Sequence, residues 1–238
     1  MESALEEIDA VILCGGKGER LKSVSGDLPK ALAKVAGRPF IDILLDELLR
    51  YRIRRIILSV GYGREKLKEH VRATGHDVEF SEEETPLGTG GAVKRAAFLL
   101  KSSTFLVMNG DSFCPVDLAG FLDFHEAKGG VLSLALSRPP PGNDYGVVAI
   151  NEDRRIVGFR EKAPCAAECF VNAGIYLMQE DIFAAMPARE SFSLEYDLFP
   201  SILDRGCYAF LAEGDLIDIG TPERLERANR LLAQFKKN

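Results

Sequence analysis

No stretch of the 238-residue sequence is apolar for long enough to cross a bilayer. The acidic opening MESALEEIDA has neither the basic region nor the apolar block of a secretory signal. These absences lead to the expectation of a soluble, cytoplasmic protein with no membrane partner. The sequence shows no internal repeat, low-complexity tail or linker, so a single domain over residues 1–238 is expected. A surplus of positive charge is also missing: 30 Lys and Arg face 36 Asp and Glu, a net charge of -6 that argues against a nucleic-acid partner. The five cysteines lack a matching His or Cys pair at metal-ligand spacing, so reduced thiols are expected throughout, Cys165 and Cys169 included. His70, His76 and His125 are scattered and are expected at the surface.

What the sequence has is a regular alternation. Short apolar runs at Ala10 to Cys14, Arg55 to Val60, Thr104 to Met108, Val131 to Ser137 and Val171 to Met178 read as buried strands. Between them lie helical patterns. In the segment RPFIDILLDELLRY, Ile41, Leu44, Leu45, Leu48 and Leu49 share one face, with Asp42, Asp46 and Glu47 opposite. Gly88 to Lys101 and Asp117 to Lys128 are expected helices, with Phe121 and Phe124 in the core. A last helix has Thr221 as cap, Pro222 in its first turn and an inward stripe of Leu225, Ala228, Leu231, Leu232 and Phe235. Strand and helix in alternation predict an α/β fold, a mostly parallel mixed sheet with helices on both faces. After residue 138 the Pro-rich turn and alternating pattern predict a small antiparallel insertion.

Open parallel sheets bind ligands beyond the carboxyl ends of their strands, and the turn after the first strand is the usual phosphate site. Gly15, Gly16 and Gly18 stand there, where glycines let backbone N–H groups approach phosphate oxygens. Between Gly15 and Phe40, six basic residues outnumber two acidic ones, a local cationic loop suited to a small anion. The third glycine of a dinucleotide fingerprint is replaced by Leu21, which counts against a dinucleotide-dependent oxidoreductase, and the Lys22-Ser23 pair lacks the glycine of a Walker loop.

At this point the segments CGGKGERL and LPKAL resemble the signature of the sugar-1-phosphate nucleotidylyltransferases. PLGTGGAV, NGDSF, DYGVV, REK, VNAGIY and IDIGTPE follow in the same order as in that family. The resemblance implies a Rossmann-like nucleotide-diphospho-sugar transferase fold. The implied reaction has a sugar phosphate oxygen attack the α-phosphorus of a nucleoside triphosphate while pyrophosphate leaves. A phosphate monoester is largely dianionic near neutral pH, so positioning and charge neutralisation carry catalysis without a dedicated base. By resemblance, Arg20, Lys30, Asp111 and Asp218 are catalytic, Asp111 and Asp218 hold Mg²⁺, and Leu13, Gly15, Gly16, Gly18, Arg20, Glu83, Pro86, Gly88, Thr89, Asn109 and Gly110 bind the nucleotide. Gly146, Glu161, Lys162 and Asn172 would take the sugar phosphate. Lys17 falls at a variable position of the motif, and Pro29 fixes the approach of Lys30.

In SEEETPLGTGG, Glu83 aligns with the position that reads the base. A carboxylate accepts hydrogen bonds and so suits the N1–H and 2-amino donors of guanine, making GTP the expected nucleotide, with three solvated glutamates as the plainer alternative. The segments ILCGGKGERLKSV, PLGTGGA and DIGTPE look like the branch of the family that transfers a guanylyl group to a manno-configured heptose 1-phosphate. A mannose-1-phosphate guanylyltransferase, a uridylyl- or thymidylyltransferase, and a non-catalytic regulatory subunit that binds nucleotide-sugar remain alternatives. Tyr145, Arg160 and the loop from Phe192 to Tyr196 are candidates for the distal sugar pocket. The protein is expected to be a monomer or homodimer, with no second nucleotide site.

Overall fold

The structure, a computed structural model, describes residues 4–140, 145–163 and 169–235, without the side chains of Ser25, Lys162, Ala163, Gln234 and Phe235. In chain order its elements begin with β1 (Asp9–Cys14), α1 (Lys22–Ser25), β2 (Lys34–Val35), β3 (Arg38–Pro39), α2 (Phe40–Arg50), β4 (Ile56–Val60), α3 (Arg64–Thr74), β5 (Glu79–Glu82) and α4 (Gly88–Ala96). They continue with β6 (Thr104–Asn109), β7 (Ser112–Phe113), α5 (Leu118–Lys128), β8 (Leu132–Ser137), β9 (Tyr145–Ile150), β10 (Ile156–Ala163), β11 (Phe170–Gln179), β12 (Cys207–Leu211), β13 (Ile217–Asp218) and α6 (Pro222–Phe235).

Nine strands form one sheet in the order β10-β9-β11-β6-β1-β4-β5, with β8 pairing to β11 and β12. The strands β5, β4, β1 and β6 run parallel. β11 turns the sheet antiparallel against β6, and β9 and β10 form the antiparallel insertion. All five apolar runs picked out in the sequence are strands, because uninterrupted apolar residues bury both faces of a central strand.

Two apolar layers sandwich the sheet. Ala10, Ile12, Leu58 and Met108 meet α2, α3, α5 and α6 on one face. Val11, Ile57 and Val107 meet Val93 and Ala96 of α4 and the short helical turns after β11 on the other. The helix expected over residues 88–101 stops at Ala96, with one 3₁₀ turn to Leu99. Its continuation is drawn off because Asp9 Oδ2 accepts from the amides of Lys101 (2.6 Å) and Ser102 (2.9 Å), fixing them outside any helix.

Four further expectations change. Leu49 of α2 is 44% exposed, whereas Asp42 is buried, because α3 covers that side of α2 and His70 Nε2 reaches Asp42 Oδ1 at 2.7 Å. His125 is buried, not superficial: its Nδ1 meets Ser133 Oγ at 2.8 Å and its Nε2 meets Gln179 Nε2 at 3.1 Å. Phe121 is in the core and Phe124 packs partly against it. Cys14, Cys114 and Cys207 are buried free thiols, but Cys169 is in a disulfide; Cys165 lies outside the described residues. No helix among the described residues is long and apolar enough to cross a membrane.

Candidate active site

The carboxyl ends of β1, β4 and β6 converge where the glycine-rich loop leaves Cys14. A Cβ on Gly15 would lie 2.7 Å from Glu83 Oε1, and one on Gly18 would lie 3.2 Å from Lys30 Cβ. The loop is therefore threaded between Glu83 and Lys30, and Gly18 also adopts a φ of +60° that suits glycine. Pro29, with φ -55°, precedes Lys30 as expected.

Two clefts open beside this loop. One of about 330 Å³ is lined by Leu13, Gly15, Gly16, Lys17, Glu83, Pro86, Gly88, Thr89, Ala92, Asn109 and Asp111. The other, about 170 Å³, is lined by Arg20, Asn109, Asp111, Ser112, Tyr145, Gly146, Glu161, Asn172, Gly174, Glu195, Leu216, Asp218 and Arg224. Asn109 and Asp111 border both. Asn109 Oδ1 is buried without a hydrogen-bond partner among the described residues, an acceptor that a ligand donor would satisfy. Thus eight of the residues assigned to the nucleotide line the first cleft (Leu13, Gly15, Gly16, Glu83, Pro86, Gly88, Thr89 and Asn109), and Gly146, Glu161 and Asn172 line the second. Gly110 stands behind the wall, its amide donating to Leu13 O at 3.0 Å.

The carboxylates come together through a two-stranded ribbon. Asp218 of β13 pairs with Ser112 of β7, and Ile219 N donates to Asp111 O at 3.0 Å. Lys30 Nζ then sits 2.5 Å from Asp111 Oδ2. Asp218 is held by Arg224 Nη1 at 3.0 Å and by the amide of Gly220. Burial, and next the charge of Asp111, push the Asp218 carboxyl above its usual range, while Lys30, the Gly220 amide and Arg224 pull it back. A Cβ on Gly220 would lie 3.3 Å from Lys30 Nζ and 3.7 Å from Arg20 Nη2, so both cations reach the same spot. Asp111 and Asp218, which both line the second cleft and repel one another, form a hard-oxygen donor pair of the kind that suits a divalent cation.

The second cleft is lined by Glu195, from the Phe192 to Tyr196 loop picked out in the sequence, and by Arg224, which sequence reasoning missed. Glu195 accepts from Thr89 Oγ1 at 2.6 Å and from Ser193 Oγ at 2.7 Å, and Tyr176 OH lies 3.4 Å from its other oxygen. Asn172 Nδ2 donates to Tyr176 OH at 2.8 Å, and its Oδ1 accepts from Gly174 N at 2.9 Å. A register shift in β11 between Asn172 and Tyr176, with Gly174 at φ +75°, aims this pair at the cleft. The glycine inside an apolar strand was the available signal for that bulge. Arg224, stacked 4.5 Å over the Tyr145 ring, had no signal beyond its place in a helix start. Of the distal candidates, Tyr145 lines the cleft, Phe192 is buried under α4, and Arg160 is exposed. The side chain of Lys162 lies outside the described part of the structure.

Among the three glutamates, Glu82 pairs with Lys68 at 2.8 Å, Glu84 is exposed, and Glu83 is 8% exposed. Three solvated glutamates are therefore not what the loop holds. Glu83 accepts from Ser59 Oγ at 3.2 Å and from Leu87 N at 3.1 Å, and a further cleft of about 310 Å³ with Tyr62 and Arg64 borders its other flank.

Comparison with known proteins shows what the chain is similar to. The family model for nucleotidyl transferase matches residues 9–234. D-glycero-alpha-D-manno-heptose 1-phosphate guanylyltransferase of Campylobacter jejuni subsp. jejuni is 36% identical over 91% of this chain and 96% of that protein. Mannose-1-phosphate guanylyltransferase of Mycobacterium tuberculosis is 34% identical over 95% of this chain but 65% of that longer protein. The crystal structure of HddC from Yersinia pseudotuberculosis complexed with GMP-PN superposes with a TM-score of 0.82 at 33% identity, covering 94% of this chain and 99% of that one. Fold and sequence agree, and the chain belongs to the nucleotidyl transferase family.

Proposed function

We propose that the protein transfers a guanylyl group from GTP to D-glycero-α-D-manno-heptose 1-phosphate in the cytoplasm, forming the GDP-sugar and releasing pyrophosphate. The observation that carries this is the shared wall: Asn109 and Asp111 border a cleft holding Glu83 and another holding Glu161 and Asn172, with Lys30 at the seam. A phosphate oxygen of the sugar 1-phosphate forms a bond to the α-phosphorus. The bond from that phosphorus to the bridging oxygen breaks, and the electron pair leaves with pyrophosphate. No side chain has to remove a proton, because the attacking monoester already carries its negative charge.

What the chain supplies is position and charge. The glycine loop brings backbone amides to the triphosphate, Arg20 takes the leaving pyrophosphate, and Lys30 neutralises charge at the α-phosphate. Glu161 and Asn172 orient the sugar hydroxyls, with Gly146 leaving room beside them, since a Cβ there would lie 2.5 Å from Glu161 Oε2. Lys162 is assigned to the sugar phosphate. Asp111 and Asp218 would hold Mg²⁺, which when bound offsets the charge of the reacting phosphates. The heptose is favoured over mannose because heptose 1-phosphate guanylyltransferases of two bacteria are 36% and 34% identical over 91% and 96% of this chain.

The test is pyrophosphate release with GTP, UTP, dTTP, CTP and ATP, each offered with the 1-phosphates of the manno-heptose and of mannose. GTP with the heptose is expected to be fastest, and Glu83→Gln is expected to lower kcat/KM for GTP about 10- to 100-fold, the worth of one hydrogen bond to a charged group. Equal turnover with UTP or dTTP overturns the guanine assignment, and equal turnover with mannose 1-phosphate overturns the heptose.

A further inference from the structure

β4 reads Ile-Ile-Leu-Ser-Val and is buried along its whole length. Its one polar residue, Ser59, is 0% exposed and sits in register with Leu13 of β1 and Ser81 of β5, on the face that α4 covers. A buried hydroxyl needs a partner, and Ser59 donates to Glu83 Oε1 at 3.2 Å. The other carboxylate oxygen, Oε2, takes the amide of Leu87 at 3.1 Å. The backbone of Glu83 is fixed as well: its N–H donates to Val60 O at 2.8 Å, and its carbonyl accepts from Arg64 Nη1 at 3.0 Å. Gly15 completes the enclosure, because only a residue without Cβ leaves Oε1 in place.

Each oxygen of Glu83 thus receives one donor from the protein on its inner side and keeps lone pairs for the cleft. A carboxylate held this way presents two acceptors at a fixed spacing and rejects any base edge that offers an acceptor there. We infer that Ser59 is a specificity-determining positioning residue: by holding Glu83 Oε1 it sets the carboxylate to accept from N1–H and the 2-amino group of a purine together. The inference rests on the guanine assignment above and adds to it the residue that fixes the reader. Without the hydroxyl, Oε1 loses its inner anchor, and the carboxylate can swing toward the open flank where Tyr62 and Arg64 lie.

The experiment compares GTP with ITP, which differs only by lacking the 2-amino group. The unaltered protein is expected to prefer GTP by about 10-fold or more in kcat/KM. In Ser59→Ala that preference is expected to fall by about 5-fold, with KM for the sugar 1-phosphate and kcat at saturating GTP within about twofold of the starting values. Ser59→Thr, which keeps the hydroxyl, is expected to retain the preference. Ser81→Ala, one strand further out with a buried hydroxyl that has no partner among the described residues, is expected to leave it unchanged. An unchanged GTP-to-ITP ratio in Ser59→Ala overturns the inference, as does a uniform loss with both nucleotides. Should Ser59→Ala fail to fold, Ser59→Cys decides by the same ratio, since a thiol is a weak donor of similar shape. Glu83→Gln separates the two levels. If it leaves the ratio intact, the guanine assignment itself fails; if it collapses the ratio while Ser59→Ala does not, only the role of Ser59 fails.

Discussion

Three adjacent glutamates, 82 to 84, end in three environments: an ion pair with Lys68, a buried anchor between Ser59 and Leu87, and open solvent. The sequence singles out Glu83 by its residue type and its place in the motif, but not its burial, which depends on Ser59 and Leu87 folding over it. His125 shows the same limit. Nothing near it in sequence announces Ser133 and Gln179, which receive it in the core. Burial lowers its pKa from 6.5 to about 4. The unfolded chain therefore binds an extra proton between these values, so the contribution to stability is complete above about pH 6.5 and is lost as pH falls toward about 4, a total of up to about 3 kcal/mol. Urea midpoints measured from pH 7.5 down to pH 4.5 are expected to fall, and His125→Gln is expected to flatten that slope whatever it does to stability at neutral pH.

At the scale of elements, strand positions were readable because central strands carry uninterrupted apolar runs. β5 was missed because it is a polar edge strand, Glu-Phe-Ser-Glu, with little to bury. The start of α4 was read as a nucleotide motif, yet its glycines also answer a packing demand from a segment about a hundred residues away. Phe192 O accepts from the amides of Gly90 (3.0 Å) and Gly91 (3.3 Å), taking up helix N–H groups that would otherwise lack partners. A Cβ on Gly90 would lie 2.2 Å from the buried Phe192 ring. Gly90→Ala is expected to cost about 1–3 kcal/mol through overpacking, seen as a melting temperature several degrees lower. An undisturbed melting temperature would mean that the ring moves aside freely. Contacts of this kind stay hidden in a sequence because nothing local marks the partner.

Over the whole molecule, the charge distribution was the most informative global property. A chain of net charge -6 places Arg20 and Lys30 together at Gly220, beside the paired carboxylates. The convergence of Asp111 and Asp218 depends on the β7–β13 ribbon, two strands of two residues each, too short to leave a periodicity in the sequence. Arg20 is exposed and Lys30 half-buried, so binding of a polyanion at this cationic edge is screened by salt. KM for GTP is therefore expected to rise between about 50 and 500 mM NaCl, where the screening length shortens from over 10 Å to a few ångströms. The melting temperature, set by the two apolar layers, should move far less over that range. A KM insensitive to salt would place the triphosphate away from these cations.

The two clefts share Asn109 and Asp111 in their linings, so the same side chains face both compartments. Occupants of the two compartments are consequently near neighbours, and a tether joining them need be no longer than a phosphate or two. An inhibitor built as one molecule reaching into both would meet its second compartment at an effective concentration in the millimolar range, so two weak fragments could combine into a tight one.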